Sequence, residues 1–194
     1  MDIFAHALWA NAGARKLNQI ADKKGNQKFS IAWTTFWGIF PDLFAFSWPF
    51  ALRIFAVLSG SLALSNFFQR PPIAEESAFR NGFAVVGNLY PYSHSLIIFA
   101  AVFLIVWLIY RRPRFELLGW GLHILIDIFS HSIQFYPTPF LFPISDWRFP
   151  YGVAWSGQIF MIINYSLLLI VFLYFAISKI RRKNNARSNK VQDL

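Results

Sequence analysis

The sequence predicts an all-α fold, a polytopic transmembrane bundle with four full spans plus a short N-terminal helix and a helix broken at Pro41-Asp42. Three observations predict it. Of 194 residues, 56% are hydrophobic and 20% aromatic while only 14% are charged, which is more apolar surface than one soluble domain of this length can bury. Asn81 to Tyr110 and Phe149 to Ser178 contain no charged residue, and Leu117 to Ser145 contains only Asp127; each exceeds the roughly 20 helical residues that cross about 30 Å of hydrocarbon. Basic residues gather between these stretches rather than within them. The composition excludes a disordered chain, and the absence of a Gly or Pro period excludes collagen-like and repeat architectures. With no cysteine, disulfides, thiolate zinc sites and cysteine nucleophiles are excluded as well.

Along the chain, the first helix is expected near Ile3 to Ala14. Asp2 follows Met1 where a signal peptide carries basic residues, so this helix is expected to stay in the mature protein. Ser30 to Phe40 is apolar and stops at Pro41, whose ring and missing N–H interrupt a helix. The four spans are expected at Phe50 to Phe67, Ser93 to Tyr110, Phe115 to Ile133 and Gln158 to Ile180. Residues 1–180 then form one membrane-embedded helical domain, and residues 181–194 a basic, disordered cytoplasmic tail.

A net charge of +9 would suit nucleic acid, but its placement points elsewhere. Residues 15–28 hold Arg15, Lys16, Lys23, Lys24 and Lys28; the turn after Tyr110 holds Arg111, Arg112 and Arg114; the tail holds Lys179, Arg181, Arg182, Lys183, Arg187 and Lys190. These fall on one side if each of the last three spans crosses once and the region 30–67 crosses a net odd number of times. Only Arg70, Arg80 and Arg148 fall on the other side, with Arg53 near the start of its span. By the positive-inside rule the charge marks the cytoplasmic face, and nucleic acid is not an expected partner.

An ionisable group in hydrocarbon costs about 2.5–3.5 kcal/mol on insertion scales. All four histidines, His6, His94, His123 and His131, nonetheless fall in or at the end of apolar segments, as do Asp42 and Asp127. Each alone reads as a hydrogen-bonded core residue, and Asp42 equally as a helix N-cap after Pro41. Six together require one shared cause. Counted along straight helices from the Arg112-Pro113 turn, His94 and His131 are level at roughly 28 Å, with Asp127 at about 22 Å and His123 at about 16 Å. Asp42 rises about 21 Å above Lys28, and His6 about 14 Å above Arg15. All six then occupy the outer half of the membrane.

His123, Asp127 and His131 recur every four residues and share one helix face. Adjacent members can share a metal ion, whereas His123 and His131, about 12 Å apart in rise, cannot on a regular helix; Asp127 would bridge two ions or serve one. Nitrogen and oxygen ligands favour Zn, with Mn, Fe or Ni as alternatives. A proton or metal-ion pathway uses the same residue types. A transporter, however, needs polar residues continuing to the cytoplasmic face, and Leu96 to Leu108 is an unbroken apolar run. A Ser-His-Asp system from Ser93 or Ser130 lacks a Gly-x-Ser-x-Gly elbow.

Phe40-Pro41-Asp42-Leu43, Tyr92-Ser93-His94-Ser95-Leu96, Gly121 to Asp127 with Ser130-His131-Ser132, and Pro137 through Asp146 to the Trp155 region together resemble the bacterial family of membrane-bound metal-dependent hydrolases. The likeness covers most of the chain, and His6 matches that family's early histidine. The arginine that many members place before the histidine motif is absent, with Pro91-Tyr92 in its place. More distantly, the order of these residues is similar to the zinc-binding pattern of zinc-dependent phospholipase C. That resemblance implies His6, Asp42, His94, His123 and Asp127 as metal ligands, with His131 as a further candidate.

The resulting expectation is a metal-dependent hydrolase of a bacterial inner membrane, its site facing outward, in which Asp42 or Asp127 is the catalytic carboxylate that orients or deprotonates a metal-bound water. The segment Gln134 to Gly157, rich in Pro and aromatic residues, would lie over the site. It reads equally as an interfacial aromatic belt and as a lid in which Asp146 and Arg148 contact substrate, Arg148 facing phosphate. A lipid or lipid-linked phosphoester is the expected substrate class. The alternatives are a metal-ion or proton transporter and a non-catalytic membrane protein with a structural metal.

Overall fold

The computed structural model describes residues 1–23, 28–66 and 76–192. Among these residues it is all-helical, with six α-helices and no strand: α1 (Ile3–Lys23), α2 (Ile31–Leu58), α3 (Glu76–Ser93), α4 (Leu96–Tyr110), α5 (Leu118–Ser130) and α6 (Gln158–Gln192), plus 3-10 turns at Leu64–Asn66 and Phe115–Leu117. Lys24, Phe67 and Arg70, which carry parts of the expected topology, lie outside the described residues.

Among the described residues, two helices are long and apolar enough to cross a membrane, α2 and the Gln158–Arg182 part of α6. Ala84–Ser93 and Leu96–Tyr110, bent by 57° where they meet, would together make a third. Two or three helices that could span a membrane therefore stand where the sequence predicts four full spans. The span expected at Phe115 to Ile133 is reduced to α5, 13 residues and about 20 Å long, short of the roughly 30 Å of hydrocarbon. One face of it is packed into protein instead, with Gly119, Trp120, Gly121, His123, Ile124, Asp127, Ile128 and Ser130 buried, while Leu118, Leu125 and Phe129 stay exposed on the other. A continuous apolar run is compatible with either environment.

The break expected at Pro41-Asp42 is also absent. Ser30 to Phe40 and the start of the expected span at Phe50 belong to one helix, α2, which passes through both Pro41 and Pro49 and ends at Leu58. Its buried residues are Thr34, Gly38, Pro41, Ala45 and Pro49, at spacings of three and four that place them on one face. That face of small residues and prolines lets α1, α3 and α5 all approach α2. A Cβ on Gly38 would collide with Ala10 of α1, and one on Gly119 of α5 would collide with the Thr34 carbonyl. Pro41 is thus tolerated in a helix whose neighbours pack directly against it.

α6 lies outermost. It is held to α1 by Leu168 packed with Met1 and Ala5, by Trp9 Nε1 donating to Asn164 Oδ1 at 2.8 Å and by Tyr165 donating to Asp2 Oδ1 at 2.8 Å. It continues through the basic segment from Arg181 as far as Gln192, where the sequence predicts a disordered tail. Ser30 caps α2, accepting from Trp33 N at 3.3 Å, and Ser95 caps α4, accepting from Ile97 N and Ile98 N at 3.1 and 3.2 Å. Each satisfies amides that a helix start leaves without partners.

Candidate metal centre

Each candidate ligand is placed by its own stretch of helix. His6 lies at the end of the first turn of α1, Asp42 near the middle of α2, His94 at the break between α3 and α4, and His123 and Asp127 one turn apart on α5. Asp42, His94, His123 and Asp127 converge so that one ligand atom from each lies within 4.8 Å of all the others. This cluster could hold a metal ion. His94 Nε2 is 3.1 Å from His123 Nε2, 3.6 Å from Asp42 Oδ1 and 3.6 Å from Asp127 Oδ2. His123 Nε2 is 3.7 Å from Asp42 Oδ1 and 3.1 Å from Asp127 Oδ2.

The other ring nitrogens decide the chemistry of those that converge. His123 Nδ1 meets the Gly38 carbonyl at 2.8 Å, and His94 Nδ1 meets the Tyr90 carbonyl at 3.2 Å and Ser93 Oγ at 2.9 Å. A carbonyl only accepts, so the hydrogen-bond network assigns the proton to Nδ1 in both rings and leaves a lone pair on each Nε2. Two lone pairs and two carboxylate oxygens therefore face one another with no donor among them. Such a set requires positive charge at its centre, a metal cation or an added proton. Asp127 Oδ2 is buried without a hydrogen bond, as expected of an atom that faces such a charge.

Asp127 has a second side. Its Oδ1 faces the α-amino nitrogen of Met1, His6 Nε2 at 2.9 Å, His131 Nε2 at 3.4 Å and the Ser130 hydroxyl at 3.3 Å. His6 stacks on His123 with ring centroids 3.6 Å apart, and its approach to Oδ1 is not aligned as a hydrogen bond, so both its ring nitrogens are buried without one. His131 Nδ1 donates to the Tyr136 carbonyl at 2.8 Å. His6 and His131 thus belong to the same polar core as the four-residue cluster but across Asp127 from it.

The straight-helix count that levels His94 with His131 does not describe this arrangement. His94 sits where the chain bends by 57°, and its Nε2 meets His123 instead. The break itself is anchored: Trp120 Nε1 donates to the Ser93 carbonyl at 2.6 Å, Leu96 N to the Phe140 carbonyl at 2.9 Å, and Ser95 Oγ to the Phe142 carbonyl. The 131–157 segment, which contains Phe140 and Phe142, also folds back over the end of α5, where Val153 N donates to the Phe129 carbonyl at 2.9 Å and Trp155 N to that of Ser130 at 3.0 Å.

Asp146 and Arg148 are placed differently from the rest. They pair with each other at 4.0 Å, and the Asp146 side chain is 96% exposed. Tyr90, by contrast, belongs to the centre although its sequence context does not single it out. Its ring stacks on His94 with centroids 3.7 Å apart, and its hydroxyl reaches the Tyr136 carbonyl at 3.3 Å and His131 Nδ1 at 3.5 Å. The one signal is its position, a helical turn before His94 and on the same face.

No family model, curated protein or solved structure matches this chain.

Proposed function

We propose that this chain is a membrane-bound, metal-dependent hydrolase acting on a lipid or lipid-linked phosphoester. One observation carries the reading. Five of the separations among the converging atoms of Asp42, His94, His123 and Asp127 run from 3.1 to 3.7 Å. A tetrahedron with metal–ligand bonds of about 2.1 Å has edges of about 3.4 Å. A proton would join two of these atoms, whereas a metal ion engages all four. Nitrogen and oxygen donors in this shape favour Zn, with Mn, Fe or Ni next.

A bound divalent metal supplies a water with a pKa near about 7 and polarises a phosphoryl oxygen. The side chains divide the remaining work. His94, His123 and Asp127 are 0–1% exposed and Asp42 is 17% exposed, so substrate and water reach the cluster past Asp42. Asp42 turns Oδ1 to the imidazoles and is the carboxylate placed to take a proton from water through its other oxygen. Asp127, engaged on both oxygens, holds the cluster together. The positive-inside distribution supports a bacterial inner-membrane location with the tail cytoplasmic and the site in the outer half of the bilayer. The resemblance in the sequence motifs supports the hydrolase assignment. The near-complete burial of three ligands favours, as a second reading, a structural metal without turnover.

The test is metal content of detergent-purified protein prepared without chelator, wild type against His94→Ala and Asp127→Asn. Absence of stoichiometric metal from the wild type overturns both readings. With metal present, a screen of phosphodiesters and phosphomonoesters bearing lipid headgroups separates them: metal-dependent turnover supports the hydrolase, and none supports the structural ion.

A further inference from the structure

About 14 Å along α1 from His6, a groove of about 440 Å³ opens between α1 and α6. Arg15, Asn18, Gln19 and Asp22 line it from α1, and Phe175, Ser178, Lys179 and Arg182 line it from α6. Both sets follow the i, i+3, i+4, i+7 spacing of a single helix face, so two polar faces look at each other across the groove. Lys28 and Ile31 close it from the start of α2. Asn18 fixes that closure, clamping the backbone of Phe29 through its amide at 2.9 and 3.1 Å.

We infer that this groove seats the phosphate of an anionic phospholipid. Its single carboxylate, Asp22, is taken by Lys28 at 2.7 Å. Among the described residues, Arg15, Lys179 and Arg182 have no carboxylate within salt-bridge distance, which leaves three cations facing one cavity. Arg15 directs Nε to Asn11 Oδ1 at 2.7 Å and holds its guanidinium over the Phe172 ring, 6.0 Å from the centroid, an arrangement that leaves its terminal nitrogens for a phosphate. Ser178, Lys179 and Arg182 are the last residues of the apolar part of α6, Gln158–Arg182, so the cavity lies at the level where hydrocarbon gives way to headgroups. Basic pockets between helices at that level bind acidic phospholipids. Phe175 and Ile31 add an apolar wall for the first part of an acyl chain, which inorganic phosphate would not use. A topological role alone accounts for basic residues on this side of the membrane but not for their convergence on one cavity.

The experiment titrates purified full-length protein in mixed micelles with dihexanoyl phosphatidylglycerol, dihexanoyl phosphatidylcholine or inorganic phosphate, read by native mass spectrometry. The wild type is compared with Arg15→Gln/Lys179→Gln/Arg182→Gln and with Arg111→Gln/Arg112→Gln/Arg114→Gln, which removes equal charge outside the groove. The expected result is preference for phosphatidylglycerol over phosphatidylcholine by about tenfold or more, lost in the groove triple and changed less than about threefold in the turn triple. Equal loss in both triples overturns the proposal, as does equal binding of phosphatidylcholine. Inorganic phosphate binding as tightly as phosphatidylglycerol overturns the lipid assignment in favour of a free-anion site. Circular dichroism checks folding; if the groove triple does not fold, Lys179→Gln is read against Arg112→Gln by the same criteria. Metal content of the variants is unchanged in every case that supports the proposal.

Discussion

His94 Nε2 and His123 Nε2 face each other at 3.1 Å while the opposite nitrogen of each ring meets a backbone carbonyl. The two rings thus present lone pairs to one point, beside two carboxylates, in a setting where only Asp42 is partly exposed. Removing the central charge leaves that repulsion uncompensated. Treating wild-type protein with a chelator is expected to lower its thermal midpoint in detergent. The loss is equivalent to about 3 kcal/mol if the ion was present at 100-fold over its Kd. Asp42→Asn, already without full metal affinity, should show a much smaller shift.

Metal retention should fall with pH. Both imidazoles bind metal only when neutral, and an imidazole in water takes up its proton near about pH 6.5. Protons therefore compete for the site as pH drops, weakening the metal by up to about 100-fold per unit for two titrating ligands. The expected outcome is release between about pH 6.5 and 5, with reloading at about pH 7.5, followed with a metal-indicator dye. Affinity independent of pH across that range would place the metal on other ligands.

Tyr90 supports His94 by ring stacking and through its backbone carbonyl, and the hydroxyl faces the 131–138 side of the core. Tyr90→Phe should keep stoichiometric metal and lose about 1 kcal/mol of stability, the worth of a hydrogen bond. Tyr90→Ala removes the face that holds the imidazole and should lower metal content as well. Metal analysis with thermal melts on the two variants distinguishes the roles.

Gly119 has no room for a methyl group against the Thr34 carbonyl, whereas nothing lies within 4 Å of a Cβ built at Gly87. Gly119→Ala must push α5 from α2, and with it His123 from Gly38. A loss of about 1–3 kcal/mol is expected, with reduced metal binding. Gly87→Ala should be neutral or stabilising by up to about 1 kcal/mol through helix propensity. Thermal unfolding of both, in one detergent, provides the comparison.

The cluster was legible in the sequence because an ionisable side chain in an apolar segment is costly unless it pairs or holds an ion, and Asp42, His94, His123 and Asp127 all stood out on that ground. How they divide was not. On one straight helix Asp127 lies a turn from both His123 and His131, and periodicity cannot say which carboxylate oxygen each neighbour meets. Tyr90 remained hidden because a tyrosine near an interface has an ordinary reason to be there. Pro41 misled because the rule that proline breaks helices is a rule about isolated helices. In α2 the surrounding helices pack on the face that contains it.

By itself, the amino-acid sequence determined that the chain is helical, that its apolar stretches suit a membrane, that its basic residues lie between them, and that six ionisable groups sit in or beside apolar segments where they need partners. These follow from composition and local periodicity, which act over a few turns. Only the tertiary structure decided that α5 is short and packs one face into the protein, that α2 runs unbroken through Pro41, and that His94 meets His123. Those outcomes depend on close approach at Gly38 and Gly119 and on the bend between Ser93 and Leu96, which are set by packing between helices distant in the chain.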